Sequence, residues 1–309
     1  MIQSFLSVGQ QVLVLFCLMV VGFILGKAKL ISDSGALTMS NVMMYVVAPS
    51  MLIVAFQRPF AKADFANFCW ALLAAFAVHV VSMAAIMLIR DRSESRRRTL
   101  RFAGMFSNCG FMAYPLQTAL LGTIGVFYGS AYVIVFTAMS WTFGVYLMSG
   151  DKSRLSLRPL LLNPGIISVV IAMTLYVLRI SLPGVLLTPI TYLSGLNTPL
   201  PMVIVGYQLS HADFRTALKG ASAWVCMAVR LVLMPLIALG LCMVLHLNGV
   251  LLMATVIAAS TPPAALLSMF SAKFETDTEL AASVVSVQTL ISVLTMPVLV
   301  GLAQYVANI

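Results

Sequence analysis

Apolar residues run in blocks of about twenty along this chain, the length needed to cross a bilayer as a helix, and short polar or basic stretches separate the blocks. The pattern predicts spans over Ser7–Gly26, Ala36–Phe56, Ala66–Ile89, Leu100–Gly122, and from Thr123-Ile-Gly125 to near Gly150. After a basic stretch, Asp151–Arg158, five more follow: Asn163–Leu178, Leu186–Leu209, Gly220–Leu245, Val250–Phe270 and Leu280–Val306. The expected fold is an all-α membrane protein of ten transmembrane helices.

Two of these blocks are interrupted. In the fourth, Asn108 and Gly110 both tolerate the left-handed backbone that ends a helix, and Pro115 suits a first helical turn because its missing N–H costs nothing there. In the ninth, Thr261 is a natural N-cap and Pro262 a natural first residue, with Pro263 after it. Broken backbone at membrane depth is tolerated only where protein buries it or where it lines a polar cavity.

The prolines recur in the same order in both halves: Ala48-Pro49 against Leu200-Pro201, and Pro115 against Pro262-Pro263. Five spans per half is an odd number, so the second half must enter from the opposite side. The expectation is a 5+5 inverted repeat whose broken helices, spans 4 and 9, cross near the midplane.

Composition agrees: 61% of residues are hydrophobic and 9% charged, against roughly 25% charged in soluble domains, and mean hydropathy is +1.04. Fourteen Lys and Arg fall in alternate loops (Lys27 and Lys29; Arg90 to Arg101; Lys152, Arg154 and Arg158; Arg215 and Lys219; Lys273). Only Arg58, Lys62 and Arg179 fall in the others. The positive-inside rule places the fourteen in the cytoplasm and both termini outside. No Lys or Arg precedes Lys27, so no cleavable signal peptide is expected. Arg96-Arg97-Arg98 reads as a topology signal and lipid-headgroup contact. The net charge of +9 sits mostly in short loops, which points to orientation and not to nucleic acid.

Each half-helix start carries about half a positive charge on free N–H groups. Two starts meeting at one point favour an anion, and a carboxylate suits it. All nine Asp and Glu residues lie in loops or at span ends, so no midplane carboxylate is available for Na⁺ or H⁺. Asn108, Gly110, Pro115, Thr261, Pro262 and Pro263 are the candidate substrate contacts. Gln117, one turn past the break, faces either cavity or helix. Arg230 lies about 15 Å into its span at 1.5 Å per residue. It is either a substrate counter-charge or a side chain snorkelling to the headgroups.

His79 is either a proton relay or a neutral group bonded between helices. Asn41, Asn197 and Gln288 either reach substrate or a coupling ion or join helices. The five cysteines all lie in apolar runs and read as small hydrophobes. Neither a metal site nor a cofactor is expected. No phosphate-binding loop of the Gly-rich, Lys-Ser/Thr kind is present, and no clustered Asp, Glu, His or Cys set suggests an enzyme.

Ser107-Asn108-Cys109-Gly110-Phe111…Pro115-Leu116 resembles the auxin efflux carrier family, particularly its bacterial members. So do Ala48-Pro49, Asn163-Pro164, Arg230-Leu231…Pro235-Leu236 and Thr261-Pro262-Pro263-Ala264, in the same order along the chain. The resemblance implies a fold like that of the bile-acid sodium symporters. It implies a scaffold part (residues 1–62 and 151–215) and a transport part (63–150 and 216–309) that slides past it as an elevator. It also implies a homodimer through the scaffold and an organic-anion substrate: auxin in plants, malate or related carboxylates in bacteria. The chain lacks the long cytoplasmic loop of many plant members, so the expected location is a bacterial inner membrane. The sequence leaves two alternatives: a sodium-coupled organic-anion symporter of the bile-acid type, and a membrane sensor that binds ligand without moving it.

Overall fold

The computed structural model describes residues 2–156 and 158–307, and every described regular element is a helix. In chain order the longer ones are α1 (Ile2–Lys27), α2 (Asp33–Phe56), α3 (Lys62–Leu88), α4 (Glu94–Met105), α5 (Cys109–Ser149) and α6 (Pro164–Val177). Then come α7 (Gly184–Ser194), α8 (Pro199–Ser210), α9 (Ala221–Val244), α10 (Gly249–Ser260), α11 (Leu266–Lys273) and α12 (Thr278–Ala307). Six of these are long and apolar enough to cross a membrane. Lys152–Leu161 with Pro164–Val177, bent by 44°, makes a seventh as a broken span.

Local chemistry sets the helix starts. Ser32 accepts the Gly35 N–H at 3.1 Å, Ser93 that of Arg96 at 3.4 Å, and Asn163 that of Gly165 at 2.9 Å with Pro164 behind it. Each satisfies an amide that a helix start leaves open. Gly122 divides α5: at φ 68° and ψ −158° it bends the helix into two arms, in a left-handed region that other residues avoid.

Pro164 and Pro199 start helices, but three other prolines act inside them. Pro49, Pro115 and Pro235 each follow a five-residue π-turn, at Met43–Val47, Cys109–Ala113 and Val229–Leu233. A proline inside a helix leaves a carbonyl unpaired and its ring presses on the preceding turn. Widening that turn to π spacing relieves both effects. The helix expected to begin at Pro115 therefore begins six residues earlier, at Cys109.

Backbones touch where α1 meets α8. A Cβ on Gly22 would lie 2.2 Å from the Val203 carbonyl oxygen, and one on Gly206 would lie 2.0 Å from that of Met19. Without a hydrophobic force between helices in lipid, such small-residue contacts hold them together. The larger buried cluster runs from α1 through α3, α5, α9, α10 and α12. A second surrounds Phe102, Phe106 and Phe270 beside the two interruptions.

Candidate functional site

The two interruptions are joined to each other. Between α4 and α5, Ser107 forms an antiparallel bridge with Pro263. The Asn108 N–H donates to the Pro262 carbonyl at 2.7 Å, and the Ala264 N–H donates to the Phe106 carbonyl at 2.9 Å. Four helix ends thus converge on a two-strand clasp that is buried at Ser107, Thr261 and Pro263.

The carbonyl ends of the incoming helices are occupied. Arg230, inside the π-turn of α9 and 1% exposed, donates from Nη1 to Met105 at 2.9 Å and to Gly104 at 3.5 Å. Its Nη2 donates to the Ala259 carbonyl. One guanidinium therefore caps α4 and α10 together, matching a cation to two negative helix ends. Arg230 does not snorkel to the headgroups. Its Nη donors face carbonyls and only Nε is left without a partner, so its main action on a ligand is as a charge at a distance. Among the described residues it has no acidic partner.

The amide ends are open. Among the described residues, the N–H groups of Cys109, Gly110 and Phe111 at the head of α5 have no backbone carbonyl as acceptor. Nor has the carboxamide of Asn108, 6% exposed. A Cβ built on Gly110 meets nothing within 4 Å, so open space adjoins these amides.

Around the clasp several buried polar atoms lack a partner: His79 Nε2, Ser107 Oγ, Tyr114 OH, Gln117 Oε1 and Arg230 Nε. His79, Cys109 and Tyr132 lie within electrostatic reach of Arg230. Such orphaned groups call for an account, because a folded interior otherwise pairs nearly all of them.

The ninth-span expectation needs correction. Thr261 caps nothing: its hydroxyl turns back to the Ala258 carbonyl at 2.9 Å, closing α10. Pro262 and Pro263 are extended, and α11 begins only at Leu266, after Ala265. Two consecutive prolines bias the preceding backbone away from helix, which holds the segment open for the clasp. Pro262 and Pro263 contribute acceptors and no donors.

The other candidates divide. Gln117 faces a helix: its Nε2 donates to Ala254 of α10 at 2.8 Å, and its carboxamide lies where a Cβ on Gly129 would sit, 2.2 Å from Oε1. His79 bonds its own helix, at 2.8 Å from the Ala75 carbonyl, and does not bridge helices. Gln288 reaches Cys226 Sγ at 3.5 Å. Asn197 is buried with Oδ1 unpartnered, on a 3-10 turn that packs against Met43–Val47. That π-turn clusters with Ile204, and Phe111 from the interruption packs on the same cluster. Asn41 is exposed on α2.

The run Arg96-Arg97-Arg98 serves the fold. Arg96 donates to Lys219, Arg97 to Asp91, and Arg98 to Met148 and Ser149 carbonyls. The structure adds Ser107 and Tyr114 to the candidates; their signal in the sequence is a hydroxyl on each side of Asn108 within an apolar run.

The profile of a family described as membrane transport protein matches residues 7–300. A protein described as an uncharacterized transporter, from Methanothermobacter thermautotrophicus, is 26% identical over 313 residues, covering 95% of this chain and 97% of its own. Another uncharacterized transporter, from Methanocaldococcus jannaschii, is 24% identical over 298 residues, covering 92% and 94%.

Proposed function

Because this chain belongs to the membrane transport protein family, the family of the auxin efflux carriers, and is thus a multi-pass membrane transporter and not an enzyme, we propose that its cargo is a small organic anion bound at the clasp. The observation that carries this reading is the unequal treatment of the helix ends. A sodium ion would need the carbonyls of α4 and α10 as ligands, and Arg230 already holds them. A carboxylate needs the amides of α5 and the Asn108 carboxamide, and those are open. The charge of Arg230, unmatched by any described acid, adds a field of the right sign.

In this reading the chain has ten spans arranged as an inverted repeat, with α4–α5 and α10–α11 as the broken pair. The packing supports it. Spans 1 and 7 meet as α1 on α8, and their repeat counterparts, spans 6 and 2, meet as α6 on α2. Likewise α4 touches α9, and α10 touches α3. The part carrying the clasp would slide as an elevator along a scaffold built from residues 1–62 and 151–215, paired as a homodimer in a cytoplasmic membrane. For a monoanion, each 100 mV contributes about 2.3 kcal/mol toward export, so the membrane potential alone suffices to drive it.

The test is flux. Purified protein in liposomes is expected to move a radiolabelled carboxylate equally well in sodium and in choline buffers. Asn108→Ala is expected to abolish this flux while leaving the melting temperature within a few degrees of wild type. Full transport by Asn108→Ala would remove that residue from the site. Strict sodium dependence would establish the symporter alternative, and binding without flux would establish a sensor.

A further inference from the structure

A cavity lies among the loops that the basic-residue count reads as opposite to the fourteen. It has a volume of about 560 Å³ and opens between the loop after α2 and the loop after α6. The loops are laced together. Gln57 Nε2 donates to the Ile180 carbonyl at 3.2 Å, and Gln57 Oε1 accepts the Leu182 N–H at 2.8 Å. Tyr176 OH accepts the Ala61 N–H at 3.2 Å.

Two of the three basic residues on this face line the cavity, Arg58 and Arg179. Arg58 is paired with Asp64 at 2.9 Å and lies over the Phe127 ring at 5.4 Å. Its Nε is buried without a partner. Arg179 lies over Phe60 at 5.3 Å, and among the described residues it has no acidic partner. Phe56, Phe60, Tyr176 and Leu187 supply apolar wall. Beside it runs α7, none of whose residues is buried, as for a helix set against lipid.

We infer that this cavity binds a singly charged oxyanion carried on an apolar body. Asp64 neutralises Arg58, so the cavity holds one net positive charge, on Arg179, and one negative charge balances it. A guanidinium presents paired donors that match the oxygens of a carboxylate or a phosphodiester. Stacking on Phe60 orients the Arg179 plane. The apolar wall suits an aromatic or acyl group. Two sources have this chemistry: the headgroup of an anionic phospholipid, with its chains along α7, and a free carboxylate held outside the clasp.

The test uses the purified full-length protein in nonionic detergent, with dihexanoyl phosphatidylglycerol and hexanoate as probes and dihexanoyl phosphatidylcholine as the zwitterionic control. Affinities come from thermal-shift titrations of wild type, Arg179→Gln and Asn108→Ala. Arg179 is exposed, so its substitution leaves folding intact. The expected result is about tenfold or greater weakening of an anionic probe in Arg179→Gln; Asn108→Ala leaves that component unchanged and removes only hexanoate bound at the clasp. Weakening of phosphatidylglycerol identifies a lipid site, and weakening of hexanoate identifies a carboxylate site. The inference is overturned if neither anion binds the wild type or if both bind Arg179→Gln as tightly. Phosphatidylcholine binding as well as phosphatidylglycerol would also overturn it.

Discussion

The two interruptions are bonded to each other yet built differently. The first is three residues long, Phe106 to Asn108, and the chain re-enters a helix at once at Cys109, where the new helix exposes its first amides. The second takes five residues, Thr261 to Ala265, and leads to a helix of only eight. It contributes two prolines without N–H groups and a threonine whose hydroxyl is spent on its own helix. So the first interruption offers donors and the second supplies the frame that holds it in place. Two interruptions that bond to each other need not carry equal chemistry. Here the open donors collect on one side, and the Arg230 cap ties both sides from a third helix.

That tie gives the largest expected effect. Arg230→Met removes a guanidinium that satisfies carbonyls of Gly104, Met105 and Ala259, leaving them buried and unpaired. A lost charge-assisted bond costs about 1.5–3 kcal/mol, and at least two are lost, so the variant is expected to lose the folded state in detergent. Arg230→Lys keeps the charge but not the fork that reaches both helix ends. It is expected to fold with a much lower melting temperature and to transport poorly. Thermal unfolding with size-exclusion chromatography reads both. Wild-type stability in Arg230→Met would show that the two ends hold together without it.

Much of this arrangement is legible in the chain. Asn108 does fall in the first interruption, but not by the left-handed backbone expected of it: its φ is −79°, and Gly110, also without positive φ, lies inside the first turn of α5 after an incoming helix that ends at Met105. Pro262-Pro263 mark the second, because consecutive prolines bias the preceding backbone away from helix. Two features are not legible. The π-turn before Pro115 defeats the reading of that proline as a helix start, because in lipid a helix can deform around a proline without ending there. The role of Arg230 depends on which carbonyls come within reach of one guanidinium, a fact of tertiary packing that spacing along α9 does not carry. The contact of Gln117 with α10 is hidden for the same reason, since it needs Gly129 beneath it.

A paired substitution separates donor from frame. Asn108→Ala is expected to abolish flux at small cost in stability, because its carboxamide bonds nothing described and its backbone clasp remains. Thr261→Val keeps the shape and β-branching but deletes the bond to Ala258. It is expected to lose about 1 kcal/mol and to keep most of its flux. Melting temperatures and initial rates on the same preparations decide it. The reverse outcome, with Thr261→Val inactive and Asn108→Ala active, would put the donors on the second side.

The smallest effect concerns how each incoming helix is anchored at its far end. At α10, Asn248 makes no side-chain cap. At α4 the preceding loop is held by Asp91, which accepts from Ser222 Oγ at 2.5 Å and the Ser93 N–H at 3.0 Å, with Arg96 Nε at 3.2 Å. Burial works to raise the Asp91 carboxyl, but the Ser222 hydroxyl, the Ser93 amide and Arg96 together hold it below its ordinary 3.8. A carboxyl lowered by folding stabilises above its unfolded value and loses that contribution as pH falls through the folded one. Asp91→Asn is therefore expected to lower the melting temperature at pH 7 by an amount equivalent to about 1 kcal/mol. The gap from wild type should close as pH drops below about 4. A constant gap across that range would mean that the Asp91 charge contributes nothing to anchoring α4.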